Sequence, residues 1–452
     1  MTKARLDGLY LLIMGSMMFL FLGLVLQRAA PEKLVDLRMM YFPARCLMQH
    51  CDPYNESEVL RLYRDEAGVH AEDTPKVLRI VTRYEYLPSA FSFTVPFAML
   101  PWQAAQLLWL TLTVGSFIFA SLLIWNCAAK DATVMTGLLI GFMLANSELL
   151  VITGTVAGVV LSLCIVAAWC FVKERFVLAG VLCLAFSLAI KPQDTGLVWL
   201  YFLLAGGVYR KRALQTLLAV GVISLPAALW VWRVSPHWIQ ELHANVVSLT
   251  AHGALNDPGP ASTGAHGIAM VISLQAAFSF FRDDPHFYNL ATYLVCGPLI
   301  VWWMVVTLRT RPSAAKAWMA LASMAALSML PVYHRQYDAK LLLLTIPAFA
   351  MLWTTGGKIK WIALAVNAAA FVMTGDIPWA ILLGVLHSLH LPETGTPNQI
   401  ATALQVLPVP LTLLAMGIFY LWVYARLCSQ AHSLEVNPGG LDLKIRTGIS
   451  IR

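Results

Sequence analysis

Apolar runs of about the length that crosses a bilayer, separated by short polar joints, organise most of this chain. They fall near residues 8–27, 102–127, 133–147, 155–172, 176–190, 194–208, 213–232, 286–308, 316–332, 339–356, 360–374 and 405–425. A helix satisfies its own backbone in lipid, so about twelve transmembrane helices are expected from these runs. Three further apolar stretches, 87–100, 267–280 and 377–390, are too short to span comfortably. They are expected to lie in the interface or to dip into it.

Charge sets the expected orientation. Lys130, Lys173 with Arg175, Arg210-Lys211-Arg212, Arg309, Arg311 and Lys316, and Lys358 with Lys360 fall in alternate short joints. Lys and Arg mark cytoplasmic loops, which places both termini inside. Reading 87–100 as a full span would turn the Arg210-Lys211-Arg212 joint outward, and for that reason it is kept interfacial. The first run follows Lys3 and Arg5 and is longer than a signal-peptide core; Arg28 follows it in place of a cleavage site, so it reads as a retained anchor. The expected organisation is one all-α membrane domain over 1–430, with outer segments at 28–101, 233–285 and 375–404, and a cytoplasmic tail over 431–452.

Composition agrees with the pattern. Hydrophobic residues make up 59% of the chain and charged ones 12%, against roughly 25% charged in soluble domains. A net charge of +7 points to nucleic acid only until the charges are placed; their positions are explained by topology, and no nucleic-acid partner is expected. Cys127, Cys164, Cys170, Cys183, Cys296 and Cys428 fall in or beside apolar runs and read as core fillers. Cys46 and Cys51 share the first outer segment, where a disulfide and two free thiols are both compatible with the sequence. No Cys or His spacing calls for zinc, and neither metal nor cofactor is expected. Ten histidines map to the outer side, among them His70, His266, His334, His387 and His390.

Chemistry therefore belongs at the outer face. Asp36 stands just past the first span, and an acid this close to lipid is costly to keep ionised, which marks it as functional. The same segment holds Asp52-Pro53-Tyr54 and Tyr84-Glu85-Tyr86-Leu87-Pro88. Lys191-Pro192 ends an outer helix, and Tyr333-His334-Arg335-Gln336-Tyr337-Asp338 precedes a late one. Each has a plainer reading. Asp36 could pair with Arg38 or Lys33, Lys191 could snorkel, Asp52 could cap its own turn, and the late cluster could be an ordinary polar loop. Asp283-Asp284 beside Arg282 and Pro285 reads as a capped turn.

A first helix, an acid, Asp-Pro-Tyr and a Tyr-x-Pro segment, in that order, resemble the GT-C membrane glycosyltransferases. Within them the chain is most similar to glycosyltransferase family 87, the polyprenyl-phosphate-mannose-dependent α-mannosyltransferases. It departs in having Cys51 where the family has glycine, Leu87-Pro88 where it has two prolines, and Gly154-Thr155 where Gly-Asn or Gly-Gln is common. The resemblance implies a GT-C-like bundle that moves a hexose, mannose in that family, from a polyprenyl-phosphate carrier to an extracytoplasmic glycolipid or glycan acceptor. It implies a bacterial inner membrane and an inverting single displacement with Asp36 as general base. It implies substrate contacts from Asp52, Tyr54, Tyr84, Tyr86, Lys191, His334, Arg335, Tyr337 and Asp338. The competing class is a transporter or lipid flippase, which would carry ionisable residues near mid-bilayer.

Overall fold

The computed structural model describes residues 2–30, 33–67, 74–260, 262, 270–390 and 395–436, with side chains as far as residue 429. His70, His266, the start of the 267–280 stretch and residues 437–452 of the tail lie outside the described residues, as does the His432 side chain. Among the described residues every extended element is helical; the one strand-like feature is an isolated antiparallel bridge between Val271 and Arg335.

Each apolar run of the sequence coincides with a helix, but length and composition alone qualify fewer as spans. Six pass: Lys3–Ala29, Trp102–Ile152, Gly207–Val234, Pro285–Leu308, Gln336–Thr355 and Thr396–Ser429. A seventh is made by Gly357–Met373 and Asp376–Ser388 taken together across a 59° bend. The 377–390 stretch thus continues the preceding helix after a sharp turn. Ala157–Lys173, Val177–Ile190 and Ala314–Leu327 are apolar but shorter. The chain is an integral membrane protein.

The longest candidate cannot be one crossing. Fifty-one residues of straight helix would extend roughly 75 Å, more than twice the hydrocarbon thickness. Its backbone breaks at Ala132, where φ is −150° and ψ 62°. Contacts with the first helix show what the break does. Before it, Arg5 bonds Asn126 and Phe19 meets Phe117, so the numbering falls as Lys3–Ala29 advances. After it, Gly15 packs on Gly141, and the Gln27 amide donates to the Val151 carbonyl, so the numbering rises. Two antiparallel arms of a hairpin therefore clasp the first helix. The fit depends on glycine, because a Cβ on Gly141 would stand 2.6 Å from the Leu11 carbonyl oxygen and one on Gly15 would collide with the Gly141 backbone.

The hairpin puts residue 30 and residue 152 at the same end of the bundle, and there the first outer segment is assembled. Its helices Val35–Met48, Glu56–Ala67, Pro75–Thr82 and Phe91–Ala98 bury Leu37, Phe42, Tyr54, Tyr84 and Phe91 in an apolar cluster with Trp109, Val231 and Leu249. This cluster is separate from the bundle core around Phe117, Trp303 and Tyr420. The 87–100 stretch becomes a 3-10 turn and an eight-residue helix, too short to cross. A disulfide joins Cys46 to Cys51 at the end of Val35–Met48. Asp284 caps Pro285–Leu308 by accepting from the His286 backbone N–H at 3.0 Å, as the sequence suggested.

Candidate active site

Asp36 owes its position to a backbone junction. Leu34 adopts a left-handed conformation (φ 53°) ahead of the Val35–Met48 helix, an uncommon state for a branched residue. Two hydrogen bonds hold it there: the Leu34 N–H donates to the Ile152 carbonyl (2.7 Å) and the Asp36 N–H to the Thr153 carbonyl (3.0 Å). Gly154, itself at φ +65°, lets the chains approach, since a Cβ would lie 3.0 Å from Leu34 and Leu37. Thr153 and Thr155 stand beside the Asp36 carboxylate and favour its ionised form, and the Thr153 hydroxyl donates to the Leu149 carbonyl at 3.0 Å. Arg38 turns away to the Tyr63 hydroxyl at 3.1 Å.

The carboxylate opens into a cavity of about 430 Å³, within the range of small-molecule sites. Six residues singled out from the sequence line it: Asp36, Tyr86, Lys191, Arg335, Tyr337 and Asp338. One wall is apolar, formed by Met39, Ile80, Leu87, Ile190, Val246 and Leu249. Burial pushes the Asp36 carboxyl above the usual carboxylate range, although Arg335 and Lys191 pull the other way.

Three lining residues that carry chemistry were not picked out as site residues. Glu85 lies between the two tyrosines that were, and burial raises its pKa too, with Arg335 opposing and Asp36 adding to the rise. Asn256 donates to Glu85 at 3.2 Å and accepts from Tyr333 at 2.9 Å and from Arg335 at 3.1 Å. Lys76 brings a third cation to the wall. An ionisable residue inside the aromatic run Tyr84-Glu85-Tyr86 was the available signal for Glu85. Nothing local marks Asn256 or Lys76.

The cations differ in how their charge is used. Lys191 Nζ sits 2.6 Å from Asp338 Oδ1 and 2.9 Å from Asp194 Oδ2, and 5.4 Å from the centre of the Tyr337 ring. Burial works against its charge, but the two carboxylates outweigh that and hold the ammonium firmly protonated. His334 stands behind the cavity wall, its Nε2 3.3 Å from Asp194. Burial would keep the imidazole neutral, and Asp194 reverses this, so its pKa is raised. Arg335 contacts the Tyr333 hydroxyl and donates to the Leu255 carbonyl. Its own N–H is capped by Asp338 at 2.9 Å.

The remaining sequence candidates stand outside the cavity lining. Asp52 accepts from the Tyr54 N–H at 2.9 Å, closing its own turn. Tyr54 is buried and donates to the Tyr86 carbonyl at 2.9 Å. Tyr84 stacks on Phe91. Asn245 ties both tyrosine segments together through the Tyr54 and Tyr84 carbonyls.

A family model described as Glycosyltransferase family 87 matches residues 84–332. The chain belongs to glycosyltransferase family 87. Neither the curated proteins nor the solved structures yield a match. The family 87 match covers Glu85, Tyr86, Lys191 and Asn256, begins after Asp36 and ends one residue before Tyr333. As a family 87 protein with membrane-spanning helices, it is a membrane glycosyltransferase.

Proposed function

We propose that this glycosyltransferase moves a hexose, mannose by the family resemblance, from a polyprenyl-phosphate carrier to a glycolipid or glycan acceptor at the extracytoplasmic face of a bacterial inner membrane. The carrying observation is the cavity: a half-buried acid, Arg335 and Lys191 share one chamber with an apolar wall. The sugar phosphate suits the charged end, and the polyprenyl chain suits the side of Ile80, Leu87, Val246 and Leu249.

Asp36 acts as the general base. An acceptor oxygen attacks the anomeric carbon and its proton passes to the Asp36 carboxylate. The bond from that carbon to the phosphate oxygen breaks, the electron pair leaves with the phosphate, and the configuration inverts. A carboxyl raised toward working pH suits this task. The diester becomes a monoester and gains negative charge as it leaves. Fixed cations facing that oxygen lower the barrier more than they tighten substrate binding. Arg335 is the better suited, because its guanidinium can bind phosphate in a bidentate way, whereas Lys191 already answers two carboxylates. Lys191 and Asp338 in the wall, with Asp194 and His334 behind them, hold that side of the cavity in place. Tyr86 and Tyr337 offer aromatic faces to the sugar, and Asp52, Tyr54 and Tyr84 support that wall through the outer segment.

The test uses purified full-length protein and a labelled polyprenyl-phosphate hexose. Asp36→Asn should insert and elute as the wild type does, and lose transfer. Near-normal turnover by that variant would remove Asp36 from the role of base.

A further inference from the structure

A second buried polar cluster lies beneath the loop that holds Asp36, where the second arm of the hairpin ends and restarts as the Leu149–Ile152 turn. Lys340 Nζ donates to the Asn146 carbonyl at 2.5 Å and stands 3.4 Å from Asp376 Oδ1. Asp376 Oδ2 accepts from the Leu149 N–H at 2.7 Å. Gln336 donates its amide to the Gly375 carbonyl at 2.7 Å. These bonds draw together the C-terminal ends of Trp102–Leu144 and Gly357–Met373, both of which present negative dipole ends.

Within this knot, four buried oxygens lack a hydrogen-bond partner among the described residues: both carboxylate oxygens of Glu148, Oδ1 of Asn146 and Oε1 of Gln336. Glu148 is 1% exposed. Buried acceptors are nearly always satisfied, so a group of them without donors points to something they bind. The charges leave the same gap. With both ionised, Glu148 and Asp376 would bring two negative charges against the one positive charge of Lys340, leaving one negative charge to be answered by a proton or a cation in a place shielded from water. A proton on Glu148 would answer the charge and, as a single O–H donor, serve at most one of the Asn146 and Gln336 oxygens, leaving the other bare.

We propose that Glu148, Asn146, Gln336 and Asp376 form a binding site for a small monovalent cation of the sodium class. The donors are hard oxygens, which suits such an ion over a soft metal. The net charge of minus one fits a single positive charge, while a divalent ion beside Lys340 would leave an excess. Broken helices whose C-terminal ends converge are a recurrent setting for sodium in membrane proteins. The ion ties the segment before Thr153, the residue that holds Asp36, to the 336–345 turn that carries Tyr337 and Asp338.

The experiment is thermal unfolding of the full-length protein in detergent, titrated with sodium chloride against choline chloride at constant ionic strength. Sodium should raise the wild-type midpoint saturably, by roughly 3 °C. Glu148→Gln should abolish the response, and Asn146→Ala should weaken half-saturation at least about tenfold. Equal midpoints in sodium and choline would overturn the site, with Glu148 carrying a proton instead. A full response in Glu148→Gln would place the ion elsewhere, and saturation by magnesium at lower concentration would overturn the monovalent assignment. Should Glu148→Gln fail to fold, the wild-type comparison and Asn146→Ala still decide. The readout involves no sugar transfer, so it stands or falls apart from the proposed reaction.

Discussion

Asp36 and Glu85 face the same cavity, and the charge on Asp36 helps to hold the Glu85 carboxyl above its ordinary range, after burial itself. Two acids in one chamber divide the work: if one accepts a proton from the acceptor, the other is left to bind hydroxyls. Asn256 fixes Glu85 from one side and reaches Arg335 from the other. Under the proposed reaction, this linkage makes Glu85 a partner of the end of the cavity that would hold the donor.

Glu85→Gln is therefore expected to lower kcat/KM by roughly 10- to 100-fold, mostly through KM. Its effect on folding should run the other way. Replacing a carboxylate whose ionised form is disfavoured by burial removes a cost, so the unfolding midpoint at pH 7 should hold or rise. A fall of several degrees, with kinetics unchanged, would make Glu85 structural.

The pH dependence follows in sign from the raised Asp36 and Glu85 carboxyls. A base must be ionised, so activity should rise with pH through a midpoint above the ordinary carboxylate range of about 4. Stability moves oppositely. A carboxyl with a raised folded-state pKa favours folding most below its unfolded pKa, and that contribution is lost as pH rises through the folded value. Coupling is mutual, so Glu85→Gln should shift the acid limb of kcat to lower pH. An unshifted limb in Glu85→Gln would show that the two acids do not share a field.

Lys191 and Arg335 should separate on different measurements. Lys191→Met strands Asp194 and Asp338 without their ammonium. Removing one partner of a buried ion pair costs about 3–5 kcal/mol, and the variant should express poorly or melt early. Arg335→Lys keeps the charge and loses the planar fork, so kcat should drop by roughly 100-fold, with a smaller change in melting. If Lys191→Met melts normally and only turnover falls, its ammonium serves the substrate more than the wall.

The clasp around the first helix predicts a packing effect far from the site. Gly141→Leu drives a side chain into the Leu11 carbonyl. The hairpin should then open or the protein fail to accumulate, which fluorescence-detected size exclusion would show. Gly115→Leu, where a Cβ meets nothing within 4 Å, should behave as wild type.

That the chain is built of apolar helices, and that Asp36 stands just beyond the first of them, could be read from residue order, because lipid imposes a length and a polarity on each segment in turn. That order leads one to expect about twelve spans, and six or seven qualify among the described residues. The short motifs and the family resemblance they carry also grouped Tyr86, Lys191, Arg335, Tyr337 and Asp338 as candidates. Whether they meet was another matter. Only the fold brings Thr153 and Thr155 to Asp36, Asn256 between Glu85 and Arg335, and Glu148 beside Asp376, because those contacts join positions far apart in the chain and depend on which helix ends converge. It also set His334 and Tyr54 behind the wall and not in it. Local polarity marks a residue as expensive to bury, and the tertiary arrangement decides which neighbour answers its charge.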